Sequence, residues 1–332
     1  MDLQNKELSR SYSVIERISR RVKKAVIGRD TVIELVLIAL FSDGHVLLED
    51  YPGSGKTTLA KALGDSIIDD KPDDQIPGFQ RIQFTPDLLP SDVTGITMFD
   101  APSGTFHFRR GPIFAYVVLA DEINRTSPKV QSAMLEAMGE KQVTVDDVSH
   151  SLDPVFFVIA TQNPLDLAGT YPLPVAQLDR FLFKIRMDYI AREDEIQVLS
   201  TLRERKAELG GDFPRVNRGE IEEARQLIEK LIHITPEIYE CLVDIARAIR
   251  LHPSVSQGIS TRSLVRMIPA MQVHALMQKR DFLTADDIRA LAPYVFQHRI
   301  ETVPGEEQIS QIIEAAMAAP LEQLIQKSLK RS

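Results

Sequence analysis

The sequence contains one cysteine, no long apolar run and no excess of basic residues, and each absence excludes a class of protein. Cys241 cannot pair within the chain, which excludes a disulfide scaffold and indicates a reducing compartment. The most apolar early run, VIELVLIALF, is too short to cross a bilayer and contains Glu34. The opening residues, MDLQNKELSR, lack the apolar core of a signal peptide. We therefore expect a cytoplasmic protein that reaches a membrane only through a partner.

The charge balance argues against a protein that binds nucleic acid mainly by electrostatics. The formal net charge is −8, although a local basic patch can hide within an acidic total. With 332 residues, of which 44% are hydrophobic, the chain can form a main domain and a smaller one. No internal repeat or low-complexity tract interrupts it.

Short apolar runs alternate with helical patterns in the first 190 residues, which indicates a mostly parallel α/β sheet. An amphipathic helix is predicted over 13–26 and ends before Gly28. Two stretches that break the alternation, near 91–111 and 141–155, are predicted to be inserted β-hairpins. The predicted buried strands are VLLE, RIQF (81–84), YVVLAD (116–121), VFFVIAT (155–161) and FKIRM (183–187).

The strand signal disappears after residue 190, and the apolar residues then recur at helical spacing. Thr284 and Asp287 form a variant of the capping box at the start of one such helix. We therefore expect an α/β domain over 1–190 and an all-helical domain over 191–332.

The stretch LLEDYPGSGKTTLA, residues 47–60, combines a strand, a glycine-rich loop and a helix, which is the setting of a phosphate-binding loop. Its glycines let the backbone curl around phosphate, Lys56 supplies a cation, and the Thr57 hydroxyl is a candidate magnesium ligand. Asp50 stands where the usual pattern has glycine, and we expect it to weaken binding without removing a ligand. The candidate nucleotide-binding residues are Gly53, Ser54, Gly55, Lys56, Thr57 and Thr58.

Two carboxylates close the predicted strand YVVLAD, at the end of a parallel sheet where ligands bind. Asp121 is the second candidate magnesium ligand, and Glu122 is the candidate that acts on the attacking water. A lone acidic pair of this kind more often faces solvent, so the catalytic interpretation depends on its combination with the loop at 53–57. Arg125 lies near the pair without an assigned role. Together these residues indicate phosphoryl transfer from a nucleotide.

Several long blocks resemble the MoxR family of AAA+ ATPases along nearly the whole chain. They are GHVLLEDYPGSGKTTLAKAL, FQRIQFTPDLLPSDVTG, FRRGPIFAYVVLADEINRTSPKVQSAMLEAMGEKQVTV, FFVIATQNPLDLAGTYPLPVAQLDRFLFKI and LAPYVFQHRI. The resemblance implies an α/β fold with a P-loop AAA+ parallel sheet core, a helix-2 insert, a pre-sensor hairpin and an all-helical lid domain. It also implies ATP and Mg²⁺ as cofactors, a homo-hexamer, a protein client and a separate partner with a von Willebrand factor A domain.

The resemblance assigns further roles by position. Asn163 matches sensor 1, which orients the water beside the catalytic carboxylate. Arg180 resembles the arginine finger that reaches a neighbour's γ-phosphate, and Arg262 resembles sensor 2, although each has an alternative as a surface or ion-pair residue. Ile27 and Gly28 match the segment near adenine, for which a plain junction of helix and loop is the alternative.

The leading functional hypothesis is an ATPase that remodels or matures a protein client, as MoxR relatives do. A nucleic-acid motor is one alternative, for which Arg109 and Arg110 are the local basic signal. The other alternative is a nucleotide-gated scaffold with little turnover. In the first insert, Phe106 or Phe108 is expected to pack within its own domain rather than contact a client.

Overall fold

The computed structural model describes residues 2–50, 53–69, 76–163, 169–202, 204, 214–303 and 308–329. Its strands are β1 (Val46–Asp50), β2 (Ile67–Ile68), β3 (Phe79–Gln83), β4 (Gly95–Asp100), β5 (Thr105–Arg110), β6 (Val117–Asp121), β7 (Gln142–Val145), β8 (Val148–Ser151), β9 (Phe157–Gln162), β10 (Phe183–Met187), β11 (Val216–Asn217), β12 (Val255–Gln257) and β13 (Glu301–Thr302). Its α-helices are α1 (Asp2–Ala25), α2 (Asp30–Phe41), α3 (Lys56–Gly64), α4 (Pro90–Thr94), α5 (Pro128–Glu140), α6 (Val175–Leu178), α7 (Arg192–Ser200), α8 (Arg218–Leu231), α9 (Pro236–Leu251), α10 (Thr261–Met277), α11 (Ala285–Phe296) and α12 (Ile309–Leu329).

The central sheet contains five parallel strands in the spatial order β10-β1-β9-β6-β3. Val46 of β1 lies opposite Phe183 on one side and Ile159 on the other. Because all five strands run in the same direction, their carboxyl ends share one edge of the sheet. The candidate carboxylates at 121–122 lie at that edge. The predicted α/β fold class with a parallel sheet core is confirmed.

Both faces of this sheet are buried, which explains why its strands are continuous apolar runs. One face packs with α1, α2 and α3, and Leu48, Leu119 and Ile159 belong to that core. The other face packs against α5, and Val118 and Ala160 belong to that second core. Residues 53–55 therefore lead directly into a helix that packs against the sheet.

The two inserted hairpins of the predicted fold class are present. Strands β4 and β5 pair antiparallel, as do β7 and β8. The Phe108 ring stacks on His150 at 3.7 Å between centroids, so it packs within its own domain as expected. Phe106 instead pairs across the hairpin with Phe99, and its side chain is 71% exposed.

The part of the chain after β10, called the lid below, is helical in its described residues apart from three short strands that the sequence did not predict. Strand β11 pairs with β2 from the first part of the chain, and β12 pairs with β13. The lid helices share one apolar core with α1 and α2, to which Ile221, Ile245 and Met267 belong. Within the described ranges, every helix is too short or too polar to span a bilayer. The domain limits at 190 and 191 stay a prediction.

Candidate nucleotide-binding site

The glycine-rich loop makes a tight bend immediately before α3. Gly53 and Gly55 have φ angles of +87° and +93°, which are strained for residues with a side chain. A Cβ atom on either would meet nothing within 4 Å, so the backbone conformation, and not a lack of room, requires glycine. The first hydrogen bond of the helix runs from the Leu59 N–H to the Gly55 carbonyl at 2.9 Å. The amides at 56–58 precede this ladder, so they form the positive end of the helix, which favours an anion.

Lys56 joins this loop to the carboxylate at the end of β6. Its Nζ atom lies 3.0 Å from Asp121 Oδ1, and the Asp121 side chain is only 2% exposed. Burial acts to raise the Asp121 pKa, but hydrogen bonds from Thr161, Lys56 and Arg81 outweigh it and lower the pKa below its usual value. Asp121 is therefore held ionised, and its oxygens, with the Thr57 hydroxyl, are the hard ligands that Mg²⁺ prefers. The residues present fit a magnesium site, and the assignment of Thr57 and Asp121 as ligands stays a prediction.

Thr161 connects the two carboxylates and was not predicted. Its side chain is fully buried at the end of β9. The hydroxyl donates to Asp121 Oδ1 at 2.7 Å and accepts from the Glu122 N–H at 2.9 Å. Glu122 has a φ of +60°, a left-handed conformation that is uncommon outside glycine and costs energy. Thr161 therefore helps to hold the candidate catalytic residue in an unusual backbone conformation.

Two residues on the edge strand β3 contact the same carboxylates. Arg81 donates to Asp121 Oδ2 from Nη2 at 2.6 Å and from Nε at 3.1 Å. Gln83 donates from Nε2 to Glu122 Oε2 at 2.9 Å, and Arg125 Nε lies 3.3 Å from the same oxygen. The sequence signal for Arg81 and Gln83 was their spacing of two on a predicted strand, which places both side chains on one face.

The structure places Arg180 and Arg262 outside this group of contacts, and Asn163 lies at the end of β9. Asn163 follows β9 directly, next to residues 164–168, which lie outside the described residues. Arg180 is half-buried, and a Cβ atom on Gly139 of α5 would collide with its guanidinium. Arg262 is 65% exposed and lies 3.9 Å from Asp179. In the part of the chain that the structure describes, neither arginine forms an ion pair with the carboxylates at 121–122.

The segment that carries Arg180 is held by arginines from the lid. Arg266 donates from Nη1 to the carbonyl oxygens of Asp179 at 2.7 Å and of Arg180 at 3.0 Å. Arg299, only 3% exposed, donates to Asp179 Oδ1 at 2.7 Å and to the Phe181 carbonyl at 2.7 Å. Neither lid arginine was predicted, because a lone arginine in a helical pattern is usually a solvated surface residue.

A cleft of about 640 Å³ opens beside the loop, which is within the usual size range of small-molecule sites. Gly28 lies under α7, because a Cβ atom added to it would be 2.6 Å from Asp194 Oδ2. The cleft extends from the loop to an apolar wall, an arrangement suited to a phosphate at one end and a base at the other. The residues that line it include Ile27, Arg29, Gly53, Ser54, Gly55, Thr58, Met187, Tyr189, Val198 and Leu199. Asp50 ends β1 opposite Met187, and its side chain is outside the described residues.

Comparisons with known proteins agree with this geometry. Residues 45–183 match the ATPase family associated with various cellular activities (AAA), and residues 247–316 match the AAA lid domain. The chain is 44% identical to the uncharacterized protein YeaC of Bacillus subtilis over 293 residues, which cover 88% of each chain. It is 34% identical to chaperone MoxR1 of Mycobacterium tuberculosis over 310 residues, 88% of this chain and 77% of that relative. A crystal structure of a candidate ATPase from Cytophaga hutchinsonii is similar with a TM-score of 0.82 and 33% identity, and the match covers 94% of this chain and 96% of that chain.

The parallel sheet, the loop before α3 and the lid define a P-loop protein of the AAA+ class. Within that class, the chain belongs to the MoxR family of AAA+ ATPases. The resemblance predicted from the sequence blocks is therefore confirmed.

Proposed function

We propose that this protein hydrolyses ATP with Mg²⁺ and uses the energy to remodel or mature a protein client. The observation that supports this most directly is the 3.0 Å contact between Lys56 and Asp121, which brings the end of β6 against the start of α3. A triphosphate at the helix amino end would lie beside the cation and beside two carboxylates. These are the parts that phosphoryl transfer requires.

Each side chain then has a defined task. With a nucleotide bound, Lys56 would contact the β- and γ-phosphates instead of Asp121, and Asp121 and Thr57 would hold the metal. When bound, Mg²⁺ neutralises charge on the phosphate oxygens. Glu122 orients the attacking water and accepts its proton, and Asn163, the residue after β9, holds the same water.

The remaining assignments require a second subunit. Arg180 lies next to Asp179, on the segment held by the lid arginines, and we assign it to a neighbour's γ-phosphate and Arg262 to sensor 2 from the family resemblance. We therefore propose a homo-hexamer with ATP between subunits, in the cytoplasm. A chaperone-like role is proposed because the relative MoxR1 is named a chaperone. The partner with a von Willebrand factor A domain is proposed from the family resemblance alone.

A nucleic-acid motor is not favoured by the first insert. The tip of the β4–β5 hairpin presents Phe99 and Phe106, which are 58% and 71% exposed, instead of a row of cations. Exposed aromatic rings on a hairpin suit contact with a protein client better than contact with a phosphate backbone.

Steady-state ATP hydrolysis and nucleotide titration test the proposal. Lys56→Ala should abolish nucleotide binding, whereas Lys61→Ala, an exposed lysine on the same helix, should leave binding unchanged. Glu122→Gln should bind ATP with nearly normal affinity and lower the turnover by about 100-fold or more. Normal hydrolysis by Lys56→Ala would exclude the loop as the catalytic site.

A further inference from the structure

Arg81 occupies one side of the carboxylate that the proposed function assigns to magnesium. Its Nη2 and Nε atoms both donate to Asp121 Oδ2, at 2.6 Å and 3.1 Å. The other oxygen, Oδ1, accepts from Thr161 and from Lys56. Both carboxylate oxygens are therefore saturated by donors, and three of these four bonds come from cations.

The two cations differ in where they can go when a nucleotide arrives. Lys56 starts α3, so phosphate oxygens at the helix amino end offer it an alternative partner. Arg81 starts from the middle of β3, opposite Leu119, and its other donor bond goes to Gln83 Oε1 at 2.7 Å. We therefore expect Arg81 to stay hydrogen-bonded to Asp121 Oδ2 after Lys56 has moved to the phosphates.

The same guanidinium also sets the direction of the neighbouring amide. An arginine can only donate and an ionised carboxylate can only accept, so Gln83 must turn its oxygen to Arg81 and its nitrogen to Glu122. One side chain on the edge strand thus fixes Asp121 directly and Glu122 through a single amide.

We propose that Arg81 is a positioning residue that competes with the metal for Asp121 and so raises the Mg²⁺ concentration at which the nucleotide complex forms. The inference rests on the proposed function, because it assumes that Asp121 serves the metal. A side chain that merely filled space at the sheet edge would not change the metal requirement.

The test is a titration of Mg²⁺ against binding of a fluorescent ATP analogue, with metal-free affinity measured in EDTA. Arg81→Gln should lower the half-saturating Mg²⁺ concentration by about three- to tenfold, the range expected for losing one partly exposed charge pair on a buried carboxylate. Its metal-free nucleotide affinity should change less than its Mg²⁺ requirement, because Arg81 acts on the loop only through Asp121, which it shares with Lys56. Arg81→Lys keeps the charge but loses the two-donor contact, so its metal requirement should lie between those of Arg81→Gln and the wild type.

A matched control makes the result specific. Arg289→Gln removes the same charge from an exposed pair in the lid, so its Mg²⁺ requirement should equal that of the wild type. If thermal melting shows that Arg81→Gln does not fold, Arg81→Met, which keeps the apolar stem, replaces it.

An unchanged or higher Mg²⁺ requirement in a folded Arg81→Gln protein would overturn the inference while leaving the proposed ATPase intact. A wild-type protein that binds no nucleotide at any Mg²⁺ concentration would instead overturn the proposed function. The two failures are therefore distinguishable in one set of titrations.

Discussion

The substitution Thr161→Val removes one buried hydroxyl while keeping nearly the same side-chain shape. That hydroxyl donates to the ionised Asp121 and accepts from the Glu122 N–H. A hydrogen bond to a charged group contributes about 1.5–3 kcal/mol, and an amide left without an acceptor costs about 1–3 kcal/mol. Since the Glu122 N–H is only partly buried, we expect Thr161→Val to lower the free energy of unfolding by about 2–4 kcal/mol.

For a chain of 332 residues this loss corresponds to a fall of about 3–6 °C in melting temperature, because the unfolding entropy is about 2.1 cal/mol/K per residue. The deficit should also depend on pH. The folded-state pKa of Asp121 is lowered below 3.8, so the contribution of its charged form is present above that value and is lost as the pH falls. The difference in the free energy of unfolding between the wild type and Thr161→Val should therefore be largest near pH 7 and decrease below about pH 4.

In the same variant, we expect the turnover of ATP to change much more than the affinity for the nucleotide. Because Glu122 loses the contact that helps to hold its backbone, the ATPase kcat should fall by about tenfold or more. Nucleotide affinity should change by less than about threefold, since the loop and Lys56 remain. Thr161→Ser is the matched control, because it keeps both hydrogen bonds. Equal stability and equal kcat for the valine and serine variants would refute this account of the β9 hydroxyl.

Two further predictions concern buried charge elsewhere in the chain. Arg299→Met leaves the carboxylate of Asp179 without its closest cation and should lower the free energy of unfolding in urea by about 3–5 kcal/mol, whereas Arg289→Met, at an exposed pair, should change it by less than about 1 kcal/mol. His45 is fully buried, and burial lowers its pKa to about 4. Because its unfolded-state pKa is near 6.5, the unfolded chain binds the extra proton first, so stability should fall as the pH drops from about 6.5 to 4. Melting temperatures across this range should vary less in His45→Gln, and an unchanged pH dependence in that variant would contradict the prediction.

The strands of the sheet and the phosphate-binding loop were predictable because their signals are local. A strand buried on both faces is a continuous apolar run, and YVVLAD and VFFVIAT both correspond to observed strands. The loop can be identified in the sequence by the glycines at 53 and 55, because other residues rarely adopt their positive φ angles. Asp121 and Glu122 were identified because they end such a strand.

The contacts around those carboxylates were not predictable because they join distant parts of the chain. Arg81 and Thr161 are each separated from Asp121 by 40 positions, and only the register of β3, β6 and β9 brings the three together. The short pair β2 and β11 was missed for a related reason, since two-residue strands leave no alternation to detect. The helix α1 begins at Asp2, well before the predicted start at 13, because its first turns are mostly polar.

Several hydrogen bonds connect the lid to residues 179–181, the segment that carries the candidate arginine finger Arg180. Arg266 and Arg299 donate to three consecutive residues at 179–181, and Gln297 donates to the Lys184 carbonyl at the start of β10. These acceptors are main-chain oxygens and one carboxylate, and leaving them unpaired in a buried place costs free energy at each bond. A displacement of the lid relative to the sheet must therefore either break several of these bonds together or carry Arg180 along with it. The second course keeps the acceptors at 179–181 satisfied and breaks only the bond from Gln297 to Lys184, so we expect the position of Arg180 to follow the position of the lid.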